Sequence, residues 1–162
     1  YNQAQRIAIR AMANVLENRL RETLREDLGG TYSVTASSNL AKFPREEYSF
    51  EVAFGSDPKR TEALTKTVFA EIEKLKTGGP NAKEVADTKE TFLREFEANT
   101  KQNAYWLGQI ALKYEYGEDP ATLLAVPDFY KKIDAATIQQ AAKQYLNTQR
   151  FVRVSLMPEK GK

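Results

Sequence analysis

The chain is 162 residues long, with 41% hydrophobic and 28% charged residues, so it is long enough to fold around a hydrophobic core. Its net charge of +2, from 24 basic and 22 acidic residues, does not indicate a nucleic-acid or anionic-membrane partner. The chain contains neither histidine nor cysteine, which excludes imidazole and thiolate zinc sites, cysteine catalysis and Ser-His-Asp triads.

The N-terminal part of the chain predicts one long amphipathic helix over about residues 4–28. Apolar residues recur there in steps of four, with arginine and glutamate between them. No good N-cap residue is evident before this helix. Gly29 can adopt the positive φ that ends a helix. The apolar stripe consists of Ala8, Met12, Leu16, Leu20, Leu24 and Leu28.

Two strands are predicted next, over residues 31–38 and 47–54, with a loop over 39–46. The second strand has the clearer alternation, because large apolar residues take every other position and mostly polar residues take the rest. Such a pattern is typical of an antiparallel sheet with helices covering one face. The apolar residues expected under the helices are Tyr48, Phe50, Val52 and Phe54.

Two further helices are predicted between residues 57 and 117. Asp57-Pro58 is expected to begin the first, as an N-cap followed by proline. Asn81, with Glu84 three residues later, predicts a capping box for the second. The polar stretch 99–103 is expected to bend this second helix.

The C-terminal part predicts a short helix, a longer helix and a strand. Asp119-Pro120 begins the short helix and Pro127 is expected to end it. Asp134 caps the longer helix. Residues 150–156 then predict a strand whose alternate residues are apolar.

The predicted order is therefore α-β-β-α-α-α-α-β. No repeat or linker interrupts it, so residues 1–162 are predicted to form a single domain. Three strands are few for so many helices, and we therefore expect a partial domain that lacks earlier strands. An open sheet edge would follow, and with it self-association through that edge.

The turn between the first helix and the first strand holds the candidate binding residues. A reversal at Gly29-Gly30 can bring the guanidinium of Arg25 and the phenol of Tyr32 to the same end of the sheet. One group is a fixed cation with five donors and the other a hydroxyl on a rigid ring, so together they could hold an extended peptide. Two simpler interpretations stay open: Arg25 interacts with the helix dipole, and Tyr32 packs its ring in the core.

This turn, taken with the order of elements, resembles the pitrilysin/insulysin-type zinc metallopeptidases. These are inverted-zinc enzymes, related to the mitochondrial processing peptidases. The match is to the non-catalytic C-terminal domain of a catalytic pair. It rests on Leu24-Arg25-Glu26, on Gly30-Thr31-Tyr32-Ser33 and on the closing segments 130–138 and 142–146.

The resemblance implies an α/β (α+β) fold, a two-layer sandwich of an antiparallel or mixed sheet with helices on one face. It places zinc on a His-x-x-Glu-His helix of a sister catalytic domain, so no metal or other cofactor is expected in this segment. The arginine and tyrosine that contact substrate backbone in the family are seven residues apart, as Arg25 and Tyr32 are. The implied partners are the sister domain and a peptide substrate.

Two functions follow from the resemblance. In the first, the chain is the substrate-facing wall of a zinc metallopeptidase that hydrolyses peptides, and is inactive by itself. In the second, it is a structural or assembly subunit of the same fold with no peptidase activity. A His-x-x-Glu-His motif encoded upstream would distinguish them.

Overall fold

The computed structural model describes residues 2–27 and 31–157, without the side chains of 25–27 and 32. Within these ranges the chain forms six α-helices and one two-stranded sheet. A π-helical segment, Arg21–Asp27, continues the first helix, and a 3-10 helix, Pro120–Ala125, precedes the fifth. The elements are α1 (Gln3–Leu20), β1 (Thr31–Ala41), β2 (Glu47–Ser56), α2 (Thr61–Gly78), α3 (Ala82–Asn99), α4 (Asn103–Glu115), α5 (Val126–Lys132) and α6 (Ala135–Tyr145).

The sheet is an antiparallel hairpin of β1 and β2. Its register runs from the pair Ala41 and Glu47 to the pair Thr31 and Ser56, with an irregularity between Thr31 and Val34. The predicted apolar face of β2 is confirmed for three residues, which are partly buried against the core, whereas Tyr48 is largely exposed. The three are Phe50, Val52 and Phe54.

Helix α1 is the centre of the molecule. It packs against β1, α2, α3 and α6, and its apolar stripe is completely buried at Met12, Leu16 and Leu20. A helix enclosed by this many neighbours must be apolar around much of its circumference. The predicted two-layer α+β class, with helices over one face of the sheet, is confirmed.

Several helix boundaries differ from the sequence-based predictions. Asn2 does cap α1, since its Oδ1 accepts from the Gln5 N–H at 2.9 Å. Asp57 forms a turn instead of a helix cap: its carbonyl accepts from the Arg60 N–H at 2.9 Å, and α2 begins only at Thr61. Pro127 is the second residue of α5 and does not end a helix, because proline in the first turn of a helix loses no hydrogen bond.

The predicted bend at residues 99–103 is a complete break between α3 and α4. By contrast, the predicted caps at Asn81 and Asp134 are confirmed: Asn81 Oδ1 accepts from the Glu84 N–H at 2.9 Å and Asp134 Oδ1 from the Thr137 N–H at 2.7 Å. None of the helices in the described ranges is long and apolar enough to cross a membrane.

The predicted third strand is wrong, because residues 151–157 have no strand structure and are exposed. Alternation of apolar residues indicates a preference for a strand, but a strand forms only when a neighbour accepts its hydrogen bonds. This segment lies along α2 instead. The Phe151 ring is 4.9 Å from that of Phe69, and Arg153 pairs with Glu62 at 2.7 Å.

Candidate functional site

The four predicted site residues are only partly described. Gly29 and Gly30 lie outside the described residues. Arg25 lies in the π-helical segment and Tyr32 in β1, and both side chains are outside the description. The contact between guanidinium and phenol therefore stays a prediction. In the chain they stand on either side of residues 28–30, which lie outside the described residues between the π-helical segment and β1.

Among the described residues, β1 has one edge that pairs with no other strand. In the described part of the chain β1 pairs with β2 on one side only. On the other side, the Ala36 N–H donates to Oε2 of Glu17 at 3.1 Å. Oε1 of Glu17 accepts from Arg21 Nη2 at 2.6 Å, which fixes the carboxylate. Glu17 thus takes the position that the carbonyl of an adjacent strand would take.

A groove of about 360 Å³ runs between this edge and the helices. Its polar wall comes from α1, where Arg10 pairs with Glu95 of α3 and lies 4.2 Å from the centre of the Phe92 ring. The lining contains two arginines and two glutamates, so its net charge favours neither a strongly anionic nor a strongly cationic ligand. Its lining includes Arg6, Arg10, Asn14 and Glu17 from α1, Ala36, Ser37, Ser38 and Leu40 from β1, and Phe92 and Glu95 from α3.

At the start of α1, three charged side chains form an ionic cluster. Arg6 donates to both carboxylate oxygens of Glu118 at 2.8 Å, and Lys113 Nζ donates to Oε2 of Glu118 at 2.5 Å. The bonds from Arg6, reinforced by Lys113, lower the pKa of Glu118 to about 2. The cluster holds the beginning of α1 against the end of α4.

A second brace lies near the other end of α1. Arg19 donates to both oxygens of Glu84, at 2.5 and 2.9 Å, and to the Gly79 carbonyl at 2.8 Å. This bidentate bond to Glu84 raises the pKa of Arg19. Burial disfavours the Glu84 anion, but the bonds from Arg19 and the Asn81 N–H outweigh burial and lower its pKa. The two braces hold the beginning of α1 against the end of α4, and the end of α1 against the start of α3.

The aromatic side chains at the start of α4 pack against the end of α3. Trp106 Nε1 donates to the Thr100 carbonyl at 2.8 Å. Tyr105 stacks edge-to-face on Phe96, with ring centres 6.2 Å apart, and burial raises the pKa of its phenol. Tyr114, near the end of α4, is exposed. Tyr105 and Trp106 thus pack across the break between α3 and α4.

Zinc does not fit this chain. Imidazole and thiolate ligands are missing from the whole sequence. In the described ranges no group of three or more acidic side chains could hold a metal ion.

Sequence reasoning missed Glu17 and the groove. Glu17 directly follows Leu16 of the buried stripe, so the sequence places it at the margin of the apolar face. The sequence does not indicate its hydrogen-bond partner, because Ala36 is nineteen residues away and their contact depends on how β1 lies against α1.

The peptidase M16 inactive domain model matches residues 1–92. The chloroplastic stromal processing peptidase of Pisum sativum is 29% identical over 140 residues, which cover 86% of this chain and 11% of that protein. The chain thus spans about a tenth of the length of the curated relatives it matches.

Several solved structures share the fold. The periplasmic protease PqqL from Escherichia coli aligns with a TM-score of 0.76 and 23% identity, covering 90% of this chain and 16% of that chain. The ferredoxin protease FusC, in complex with Arabidopsis ferredoxin, aligns with a TM-score of 0.73 and 21% identity, covering 90% and 16%.

Proposed function

The chain belongs to the peptidase M16 inactive domain family, and from this premise we propose that it is the non-catalytic, substrate-facing wall of a zinc metallopeptidase. Zinc and the general base belong to a sister catalytic domain of the parent protein. This segment binds substrate and does not hydrolyse it. Its substrate is a polypeptide, in keeping with the ferredoxin complex of the protease FusC, which shares the fold.

One observation carries the proposal: in the described part of the chain, the edge of β1 beside α1 pairs with no other strand. An extended peptide adds to an open edge through main-chain hydrogen bonds, whatever its side chains are. The bond from the Ala36 N–H to Glu17 supports this, since an edge amide here already takes an external acceptor. A peptide carbonyl of similar geometry replaces the carboxylate without leaving an amide unpaired.

Arg25 and Tyr32 have distinct roles in the proposal. Arg25 lies in the π-helical segment that precedes β1, and Tyr32 lies at the start of β1. A peptide bound along the edge of β1 would leave the groove at this end. Arg25 anchors peptide backbone or a carboxylate by charge-assisted hydrogen bonds. Tyr32 donates to a carbonyl near the cleavage point.

The test is to measure peptide turnover by the assembled parent with Arg25→Ala or Tyr32→Phe. Loss of a charge-assisted hydrogen bond costs about 1.5–3 kcal/mol, so we expect kcat/KM to fall roughly 10- to 150-fold for Arg25→Ala. Tyr32→Phe should lower mainly kcat if the phenol contacts the developing oxyanion.

Matched controls use the same side chains elsewhere. Arg45 lies in an exposed ion pair with Glu47, and Tyr114 is exposed on α4. Arg45→Ala and Tyr114→Phe should leave turnover unchanged. If the Arg25 and Tyr32 variants turn over peptide at the normal rate while zinc content and folding are intact, the clamp is refuted. If the parent has no peptidase activity and no His-x-x-Glu-His motif, the assembly-subunit function replaces this one.

The isolated chain should bind no stoichiometric zinc and cleave no peptide, because it has no imidazole or thiolate ligand. Metal analysis of the purified chain after zinc exposure, together with a peptidase assay, checks this. Either one equivalent of tightly held zinc or peptide cleavage would contradict it.

A further inference from the structure

The carboxylate of Glu17 already fills a backbone position that an added strand would need. Its Oε2 accepts from the Ala36 N–H at 3.1 Å, and its Oε1 accepts from Arg21 Nη2 at 2.6 Å. Ala36 is only 6% exposed. Because a buried amide without an acceptor destabilises the fold, Glu17 keeps this part of β1 satisfied while no strand is paired with it.

This contact indicates an occupant of the β1 edge that binds and leaves. A strand that is permanently paired with β1 supplies its own carbonyl to the Ala36 N–H, and a carboxylate reaching over from α1 then has no amide to satisfy. A substrate is bound for only part of each turnover, so the amide needs another acceptor for the remaining time. A charged side chain at a strand edge also limits indiscriminate pairing.

We propose that Glu17 is an internal competitor of the substrate: its carboxylate occupies the Ala36 amide in the free protein, and a backbone carbonyl of the bound polypeptide displaces it. The inference rests on the proposed function, since it requires that the substrate pairs with β1. It assigns to Glu17 and Arg21 a control of substrate affinity that is separate from the roles of Arg25 and Tyr32.

Arg21 allows the exchange to be reversible. It follows Glu17 by four residues, so the two side chains are neighbours on the helix surface. The side chains of Glu17 and Arg21 are 28% and 47% exposed, so the pair stays solvated after the carboxylate leaves Ala36, and no charge is left buried. Hydrogen bonds to a carboxylate are stronger than those to a carbonyl, and the competitor therefore lowers the apparent affinity for substrate.

The first test is the kinetics of peptide hydrolysis by the assembled parent with Glu17→Ala. The substitution removes the competitor, so KM should fall roughly three- to tenfold. The value of kcat should stay unchanged, because the carboxylate is already displaced in the substrate complex. Glu22→Ala is the matched control: it removes an exposed carboxylate from the adjoining π-helical segment and should leave both constants unchanged.

Two further substitutions of Glu17 separate its reach from its charge. Glu17→Asp keeps the charge but is shorter by one methylene, so it should lose the bond to Ala36 and lower KM as Glu17→Ala does. Glu17→Gln keeps the length and one acceptor oxygen, so its KM should lie between those of Glu17→Ala and the unsubstituted parent. The reverse order, with aspartate behaving as glutamate and glutamine as alanine, would show that the charge alone acts on the substrate and would overturn the proposal.

Arg21→Ala tests whether Arg21 acts through Glu17. It should lower KM less than Glu17→Ala, because it loosens the carboxylate without removing it. In the double variant, Arg21→Ala should add nothing to the effect of Glu17→Ala. Full additivity of the two effects would contradict the proposed arrangement.

The competition and the proposed function fail in different ways. If Arg25→Ala lowers kcat/KM but Glu17→Ala leaves KM unchanged or raises it, the competition is refuted and the proposed function stands. If neither substitution alters turnover, the proposed function itself fails, and the competition with it. If Glu17→Ala changes the thermal unfolding or assembly of the parent but not KM, another segment of the parent occupies the β1 edge, which also overturns the proposal.

Discussion

Glu118 lies between Arg6 and Lys113, and this position determines how its ionisation affects stability. The pKa of Glu118 is about 2 in the folded chain, against an ordinary value of 4.5. Between these values the unfolded chain takes up the proton and the folded chain does not. The stability from Glu118 is therefore fully present above about pH 4.5 and is lost as the pH falls toward 2.

The residue-scale prediction uses Glu118→Gln. The substitution leaves the cations of Arg6 and the buried Lys113 without their carboxylate. Since Glu118 is partly exposed and screened by solvent, we expect a loss of about 1–2 kcal/mol in unfolding free energy at pH 7. The difference from the unsubstituted chain should shrink below pH 4.5 and vanish near pH 2, as measured by urea unfolding at several pH values.

Glu90→Gln is the matched control for this prediction. Glu90 pairs with Arg94 on the exposed surface of α3, so its substitution should change the unfolding free energy by less than about 0.5 kcal/mol. An equal loss from both variants, or a Glu118→Gln effect that does not depend on pH, would show that the cluster does not stabilise the fold.

At the scale of elements, the start of α3 combines a local cap with a tertiary contact. Glu84 accepts from the Asn81 N–H at 2.7 Å, which completes the capping box, and also binds Arg19 of α1. Asn81 takes part only in the cap. Substituting Asn81 and Glu84 in turn therefore separates the contribution of the helix cap to stability from that of the ion pair between α1 and α3.

We expect Asn81→Ala to lower the unfolding free energy by about 1 kcal/mol, the usual cost of a lost N-cap. Glu84→Ala should cost more, about 2–3 kcal/mol, because it breaks the box and removes the carboxylate from the half-buried Arg19. Chemical denaturation of both variants measures the difference. The combination Arg19→Ala with Glu84→Ala should be less destabilising than the sum of the single substitutions, and strict additivity would argue against the brace.

At the scale of the whole molecule, stability depends on α1. Leu16 is completely buried among the neighbours of this helix. Leu16→Ala should cost about 2–5 kcal/mol of unfolding free energy, because it leaves a cavity where several elements meet. Leu124→Ala, at an exposed leucine, should change it by less than about 0.5 kcal/mol. Similar denaturant midpoints for the two variants would mean that the core is not centred on α1.

Features that depend on neighbouring residues were predictable from the sequence. The apolar stripe of α1, the capping box at Asn81 and the alternating face of β2 follow from contacts within one helical turn or one strand period. Missing histidine and cysteine determine that this chain supplies no zinc site of the family type. Arg25 and Tyr32 were identified from the turn between helix and strand and from the resemblance, and their role stays a prediction.

The tertiary structure decided which partners those local features meet. Residues 150–156 have the pattern of a strand but lie unpaired along α2, because pairing needs a neighbour that alternation does not provide. Glu17 meets Ala36, and Arg6 meets Glu118, across 19 and 112 residues. Such contacts depend on how whole elements pack, since loops bring together residues whose sequence separation carries no information about distance.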